Sequence, residues 1–209
     1  MFEAFKSGTP LGEIANVRLG MATANNNIFL KHWFEIEQNN IFIGCENRLN
    51  AKNSDKKWFP YNKGGNYRKW YGNNEYVVNW ENDGFEIRNF KDKKTGKVRS
   101  HNYNLDYIFK EGLTWSALTS SNSGIRYFPK GFLFDNAGSS MFMDKSLLFY
   151  ILGFLNSRLT DYSLNLINPT LNIQPGTISS LPIILNYRNE EIGIYVLYNM
   201  RINKYFLIF

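Results

Sequence analysis

The chain of 209 residues is long enough for one large domain or two small ones, and a 44% share of hydrophobic residues suits a globular fold. Its formal charge of +6 favours acidic partners, although an AT-rich genome would equally explain many lysines, asparagines and tyrosines. A single cysteine, Cys45, excludes an internal disulfide framework. The histidines His32 and His101 lack the spacing of metal ligands, so we expect no metal site.

The N-terminal sequence MFEAFKSGTPLGEIA contains no basic segment followed by an apolar one, as a secretory signal would. No uncharged run of the chain approaches the ~20 residues of a membrane helix. We therefore expect a cytoplasmic protein with no membrane partner.

Short elements are predicted along the first half of the chain. The sequence LGEIANVRLG at 11–20 predicts a short helix followed by a strand. Alternating apolar residues over 34–43 predict a hairpin that turns at Asn39-Asn40.

The next predicted elements are a strand and a charged loop. Val77-Val78, between two aromatic residues, predicts a buried strand that ends in a turn at 82–84. The sequence KDKKTGKVRSHN at 91–102 is typical of a solvated loop.

More strands and one strong helix are predicted in the second half. GLTWSAL and IRYFPKGFLFDNAGSSMFM predict strands, with a turn at 129–131. One apolar stripe, from Leu147 to Leu159, predicts a continuous helix over 144–167, which Asp144 or Ser146 can cap. Pro175 can start a further short helix, before an extended segment at 181–184.

These elements predict an α+β fold with a mixed or antiparallel twisted sheet and a long amphipathic helix near the C-terminus. No repeat or linker divides the sequence, so we expect a single domain over residues 1–209.

Catalytic motifs are scarce in this sequence. It contains no phosphate-binding loop of the G-x-x-x-x-G-K-[ST] type, no G-x-G-x-x-G and no G-x-S-x-G serine elbow. The sequence GIYVLYN at 193–199 resembles half of a GIY-YIG nuclease motif, but the second half is incomplete. Asp83 and Glu86 match a metal-dependent nuclease site only loosely, so we interpret them as surface turn residues.

The segment KWFPYNKGGNYRKWYGNNEY at 57–76 combines aromatic rings, cations and glycines without helical or strand periodicity. A buried strand would not tolerate so many unpaired cations, because each costs several kcal/mol. The combination suits a partner that is anionic and has flat faces, as nucleic acid does.

Three blocks of the sequence carry a family resemblance over about residues 8–185. They are KWFPYNKGGNYRKWYGNNEYVVNWENDGFEIRN, EGLTWSALTSSNSGIRYFPKGFLFDNAGSSMF and ILGFLNSRLTDYSLNLINPTLNIQPGTISSLPI. Together they closely resemble the C-terminal region of the adenine-specific DNA methyltransferases of BREX phage-defence systems. Type IIG restriction-modification enzymes share parts of it, and the third block is similar to the end of the recognition domains of type I specificity subunits.

The resemblance implies a domain that recognises a double-stranded DNA sequence and does not catalyse methyl transfer itself. In those families a separate methyltransferase domain binds S-adenosylmethionine, and we expect that domain or subunit as a partner. Two departures are visible. The early loop, Thr-Gly-x-Asn in relatives, is Thr23-Ala24-Asn25-Asn26 here, and the tail at 186–209 diverges, which suggests a truncated or separately encoded fragment.

Candidate DNA-binding residues follow from the chemistry that recognition needs. Cations and glycine amides would bind phosphate, and we expect this of Lys57, Lys63, Gly64, Gly65, Arg68, Lys69 and Arg99. Amide, hydroxyl and guanidinium groups would contact base edges, and we expect this of Asn25, Asn26, Asn102, Ser121, Asn122 and Arg126. Rings beside the lysines would stack on bases or support the loop, and these are Trp58, Tyr61 and Tyr67. We expect no catalytic residue.

Two other functions fit parts of the sequence. A metal-dependent nuclease fragment would use Asp83, Glu86 or the Gly193 motif. A protein-interaction remnant would dock on a methyltransferase subunit, and its basic loop would only be solvated.

Overall fold

The structure is a computed structural model that describes residues 7–118, 123–168, 170–185 and 188–206. Its strands are β1 (Thr9–Pro10), β2 (Asn16–Arg18), β3 (Leu30–His32), β4 (Trp58–Asn62), β5 (Trp70–Tyr71), β6 (Tyr76–Asn79), β7 (Gly112–Thr114), β8 (Arg126–Phe128), β9 (Leu133–Phe134), β10 (Ser140–Phe142) and β11 (Pro182–Ile183). Its α-helices are α1 (Leu11–Ile14), α2 (Asn26–Phe29), α3 (Arg48–Asn53), α4 (Glu81–Arg88), α5 (Lys145–Leu155), α6 (Arg158–Ile167), α7 (Pro175–Ser179) and α8 (Asn189–Phe206).

The described strands form three sheets with mixed pairing. A five-stranded sheet has the order β2-β10-β7-β8-β5, a four-stranded sheet has the order β3-β6-β4-β9, and β1 pairs with β11. Most neighbours are antiparallel, but β4 with β9 and β5 with β8 are parallel. The α+β class predicted from the sequence is therefore confirmed.

Each large sheet has its own group of buried apolar side chains. The five-stranded sheet packs with the helices around Leu113, Trp115 and Leu152. The four-stranded sheet is covered by a second, aromatic group that includes Phe59, Trp80 and Phe109.

Several local predictions are confirmed. The short helix and strand near residue 11 are α1 and β2, and Val77-Val78 lie in β6 with less than 3% of each side chain exposed. Asp144 caps α5 by accepting a hydrogen bond from the Ser146 N–H, and Pro175 begins α7.

The predicted hairpin over 34–43 is wrong. The chain forms two 3₁₀ turns there, at Trp33–Glu35 and Gln38–Asn40. Phe34 and Ile43 are 65% and 69% exposed, so the apolar alternation does not mark a buried strand face. The Glu35 carboxylate accepts the His32 backbone N–H at 2.6 Å, which favours the first turn over a continuing strand.

The continuous helix predicted over 144–167 is also wrong, because the chain breaks at Asn156-Ser157 into α5 and α6. The Asn156 side chain exchanges two hydrogen bonds with the backbone of Ile125, at 3.1 and 2.9 Å. Ser157 then caps α6. Leu159, the last member of the predicted stripe, is 50% exposed.

Candidate nucleic-acid interface

Three segments distant in sequence converge where the four-stranded sheet ends. The Asp135 N–H donates to the Asn62 carbonyl at 2.9 Å, and the Asn136 N–H donates to the Met21 carbonyl at 2.9 Å. The Met21 N–H donates in turn to the Phe134 carbonyl at 2.9 Å. These bonds hold three parts of the chain side by side. They are the residues just before the early loop at 23–26, the segment at 57–76 (the basic segment) and the turn after β9.

Glycines make this close approach possible. An alanine Cβ at Gly138 would lie 2.4 Å from the Asn62 carbonyl oxygen and 2.8 Å from the Gly64 nitrogen. At Gly64, which has φ of +86°, a Cβ would lie 2.6 Å from the Ala137 carbonyl oxygen. The predicted role of Gly64 in phosphate binding is therefore not needed to explain this glycine, which is buried against the turn after β9.

The buried carboxylate of Asp135 positions Lys63 at this end of the four-stranded sheet. Asp135 is 1% exposed and accepts hydrogen bonds from the Tyr61 hydroxyl at 2.6 Å, the Lys63 ammonium at 2.8 Å and the Ala137 N–H at 2.8 Å. Burial, followed by the Asp135 carboxylate, raises the pKa of Tyr61 well above its usual value. Tyr61 therefore remains a donor, and Lys63 is held in one place.

Two adjoining clefts open at this end of the four-stranded sheet, and we refer to them together as the Lys63 cleft. Their volumes are about 430 and 260 Å³, and Asn26 and Lys63 line both. The other lining residues are Ala22, Thr23, Ala24, Asn27, Leu30, Lys31, His32, Glu35, Tyr76, Asp135 and Asn136. A predicted phosphate-binding residue and a predicted base-contacting residue are thus neighbours.

The Lys63 cleft contains a cation that the sequence did not single out. Lys31 lies in β3, opposite Val77 of β6, and no carboxylate pairs with it in the described parts of the chain. One indication in the sequence that Lys31 belongs to this site is its place close after Asn25-Asn26. This indication is weak without knowledge of which strands pair.

The loop that supplies Asn26 keeps a backbone conformation suited to glycine. Ala24 has φ of +64°. Thr23 is 2% exposed, and its hydroxyl donates to the Asn26 side-chain oxygen at 2.6 Å. Asn25 precedes α2 without a side-chain hydrogen bond that caps it. Ala24 therefore adopts the left-handed conformation that glycine adopts at lower cost.

Replacing Ala24 with glycine is expected to stabilise the protein by about 0.5–1 kcal/mol, because glycine removes the penalty of positive φ and this gain exceeds its greater entropy in the unfolded chain. Chemical denaturation measures the change. Ala51→Gly, in the middle of α3, is the control and is expected to lose at least about 1 kcal/mol. A loss of stability in Ala24→Gly would show that the loop does not need glycine.

The loop at 99–103 lies against the early loop. Ala22 and His101 exchange two backbone hydrogen bonds, at 2.8 and 3.0 Å. This pairing brings Asn102 near the Lys63 cleft, and the Asn102 amide donates to the Ser100 hydroxyl at 3.0 Å. The Arg99 guanidinium pairs with Asp92 at 3.6 Å, and its side chain is 53% exposed.

The remaining predicted cations occupy different surroundings. The Lys69 ammonium donates to the Asn156 carbonyl at the end of α5 at 2.9 Å and lies 3.5 Å from Asp161. Only 21% of this side chain is exposed, so Lys69 stabilises the break between α5 and α6. Lys57 lies 3.8 Å from Glu81, and both side chains are about 40% exposed.

Two predicted contact residues need correction. Tyr61 is 0% exposed, so its ring supports the site from inside and cannot stack on a base. Arg126 is 1% exposed and lines a small pocket, so its guanidinium does not project from the surface to meet a base edge. Tyr67, in contrast, is 52% exposed, and Trp58 is half-buried. Ser121 and Asn122 lie outside the described residues.

The carboxylates considered for a nuclease site serve other contacts. Asp83 accepts hydrogen bonds from Arg48 at 2.9 and 2.5 Å and from Arg88 at 3.0 Å, and Glu86 accepts one from Asn79 at 2.7 Å. Within the described ranges, no three His, Cys, Asp or Glu side chains are grouped as metal ligands would be.

The Gly193 motif does not form a separate site in the structure. GIYVLYN lies within α8, where Val196 packs on Gly153 of α5. None of the helices that the structure describes is long and apolar enough to span a bilayer.

Comparisons with known proteins identify relatives of this chain. It is 45% identical over 175 residues to "Adenine-specific methyltransferase PglX" of Lacticaseibacillus casei (strain Zhang). The aligned region covers 83% of this chain and 14% of the relative. The chain is similar to one segment of an adenine-specific methyltransferase. It is also 40% identical over 169 residues to "Adenine-specific methyltransferase BrxX" of Escherichia coli O9:H4 (strain HS). This aligned region covers 79% of the chain and 13% of that relative.

The chain thus spans about one seventh of the length of these curated relatives. No protein-family model matches it. The similarity associates this chain with adenine-specific methyltransferases, as the resemblance in the sequence implied, and leaves the role of the segment to be inferred from its surface.

Proposed function

We propose that this chain is the DNA-recognition segment of an adenine-specific DNA methyltransferase of a phage-defence or restriction-modification system. It binds duplex DNA at the Lys63 cleft and does not transfer the methyl group itself. S-adenosylmethionine and the reacting groups belong to a methyltransferase domain or subunit that acts as its partner.

The observation that carries this proposal is the convergence at the Lys63 cleft. Lys63 and Lys31 supply positive charge, and Asn26 supplies an amide whose nitrogen has no hydrogen-bond partner among the residues described. Ammonium groups bind phosphate oxygens, and an asparagine amide can read adenine through paired hydrogen bonds. These are the two kinds of contact that sequence recognition requires.

The similarity to PglX and BrxX supports the same proposal from a different direction. Both relatives are named as adenine-specific methyltransferases, and this chain matches only about one seventh of each. An enzyme that modifies adenine in a specific sequence needs a surface that recognises DNA as well as a catalytic site. The described residues offer a polar cleft with two lysines and an asparagine amide, and no cluster of metal-binding side chains, so recognition is the role that this segment fits best.

The proposal is tested by fluorescence-anisotropy titration of a labelled duplex at several salt concentrations. We expect binding that weakens steeply with salt, because cations that contact phosphate release counterions. Lys31→Ala is the informative variant, since no ion pair ties Lys31 to the described fold. It is expected to lower affinity several-fold at low salt.

Lys130→Ala is the matched control, because Lys130 is exposed in the turn at the other end of β9 from Asp135. This variant removes the same charge and is expected to bind nearly as the parent does. Lys63→Ala is less suitable, because it would also remove the partner of buried Asp135. Absence of duplex binding at low salt, or equal losses in Lys31→Ala and Lys130→Ala, would contradict the proposal.

A further inference from the structure

A second, smaller pocket lies on the other part of the basic segment. Its volume is about 130 Å³, and it is lined by Gly65, Asn66, Tyr67, Ser116, Leu118, Gly124 and Arg126. The Ser116 hydroxyl donates to the Gly65 carbonyl at 2.7 Å, which joins the basic segment to the end of β7. No described residue that lines this pocket carries a carboxylate.

Arg126 brings a buried positive charge to this pocket without an ion-pair partner. The residue is 1% exposed, and no carboxylate lies within 4.0 Å of its guanidinium in the described parts of the chain. Nη1 donates to the Gly124 carbonyl at 3.1 Å, whereas the contact of Nη2 with the Ser116 hydroxyl is long, at 3.4 Å. Nε is buried, and no residue that the structure describes accepts a hydrogen bond from it.

The groups around Arg126 disfavour its positive charge, which a bound anion would stabilise. Burial lowers the pKa of Arg126 to about 10; the Glu75 carboxylate acts in the opposite direction, and the Arg68 guanidinium lowers it further. Arg68 is itself without a carboxylate within ion-pair distance in the described ranges. Two neighbouring guanidinium groups therefore repel each other, and one of them, that of Arg126, lines the pocket.

The shape and the chemistry of the pocket favour one class of ligand. A guanidinium group matches the oxygens of phosphate, to which it can present several N–H donors at once. Gly124 packs directly against Arg68, where a Cβ would lie 2.4 Å from the Arg68 carbonyl oxygen, so this wall is bare backbone.

We propose that this pocket is an oxyanion site of the phosphate class, in which the guanidinium of Arg126 supplies the buried charge. Arg126 is thereby reassigned from a base contact to a phosphate contact. The phosphate is either one from the DNA backbone or a free ion. The DNA source rests on the proposed function, whereas the oxyanion site itself does not.

The site is tested first on the unaltered protein. The Nε–Hε resonance of Arg126, assigned by triple-resonance experiments on the parent protein, is followed by NMR while inorganic phosphate is added at constant ionic strength. We expect a saturable shift that chloride does not produce. The thermal unfolding midpoint is expected to rise by about 3 °C at a tenfold excess of phosphate over its Kd. A linear shift, or the same shift with chloride, would overturn the proposal.

Variants separate binding from folding. Arg126→Met keeps an unbranched side chain, and we expect it to lose the phosphate-dependent rise in the unfolding midpoint. Arg99→Met removes an exposed guanidinium and is expected to keep the full response. A phosphate response that survives in Arg126→Met would overturn the proposal, and if that variant does not fold, the titration of the parent protein still decides.

A duplex titration identifies the source of the phosphate. If DNA supplies it, saturating duplex shifts the same Arg126 resonance and added phosphate causes no further change. A resonance that responds to phosphate but not to bound duplex would reject the DNA source and support a free-ion site. Failure of duplex to bind anywhere would contradict the proposed function and leave the phosphate result unaffected.

Discussion

Replacing Gly138 with alanine is expected to destabilise the protein by about 3 kcal/mol, because the added methyl group has no space. Its Cβ would lie 2.4 Å from the Asn62 carbonyl oxygen and 2.8 Å from the Gly64 nitrogen, which are both backbone atoms. Neither can move by rotating a side chain. The segments that form the Lys63 cleft would have to separate, and chemical denaturation measures the resulting loss.

Gly176→Ala is the control for this substitution. Gly176 lies in α7, and nothing would lie within 4 Å of an added Cβ. Because alanine has the higher helix propensity, this variant is expected to be unchanged or more stable by up to about 1 kcal/mol. A loss in Gly138→Ala no larger than that in the control would show that the three segments are not closely packed.

Replacing Asp135 with asparagine is expected to cost about 3 kcal/mol as well, for an electrostatic reason. The carboxylate is 1% exposed and accepts hydrogen bonds from Tyr61, Lys63 and the Ala137 N–H. Asparagine has nearly the same shape, but it leaves the Lys63 ammonium without its partner in a largely buried position. Denaturation near neutral pH gives the size of the effect.

The matched control is Glu81→Gln, which removes the carboxylate of a more exposed pair. The Lys57 and Glu81 groups are 3.8 Å apart and about 40% exposed, so water screens them and the expected loss is below about 0.5 kcal/mol. Similar losses in Asp135→Asn and Glu81→Gln would contradict a structural role for the Asp135 carboxylate.

Local signals in the sequence predicted local structure well. Asp144 and Pro175 mark the starts of helices because their effect depends on residues within one turn. The break at Asn156 could not be predicted in this way, because it depends on hydrogen bonds to Ile125, 31 residues earlier. The hairpin over 34–43 failed because alternation alone does not show whether a strand face is covered.

The same distinction applies to the candidate site. Lys63 could be found from the sequence, because it stands among cations, glycines and aromatic rings. The residues just before it nevertheless form the buried strand β4, which the many cations of the segment had argued against. The partner of Lys63, Asp135, lies 72 residues away, and nothing in the basic segment indicates it. Composition also could not separate Tyr61, which is fully buried, from Tyr67, which is half exposed. Their difference depends on the pairing of β4 with β6 and β9.

The salt dependence of duplex binding tests the role of the Lys63 cleft most directly, when Lys31→Ala is compared with Lys130→Ala. If Lys31 contacts a phosphate in the cleft, the slope of log affinity against log salt falls in magnitude by about 0.9 in Lys31→Ala and remains that of the parent in Lys130→Ala. Equal slopes in the parent and both variants would contradict DNA binding at this cleft.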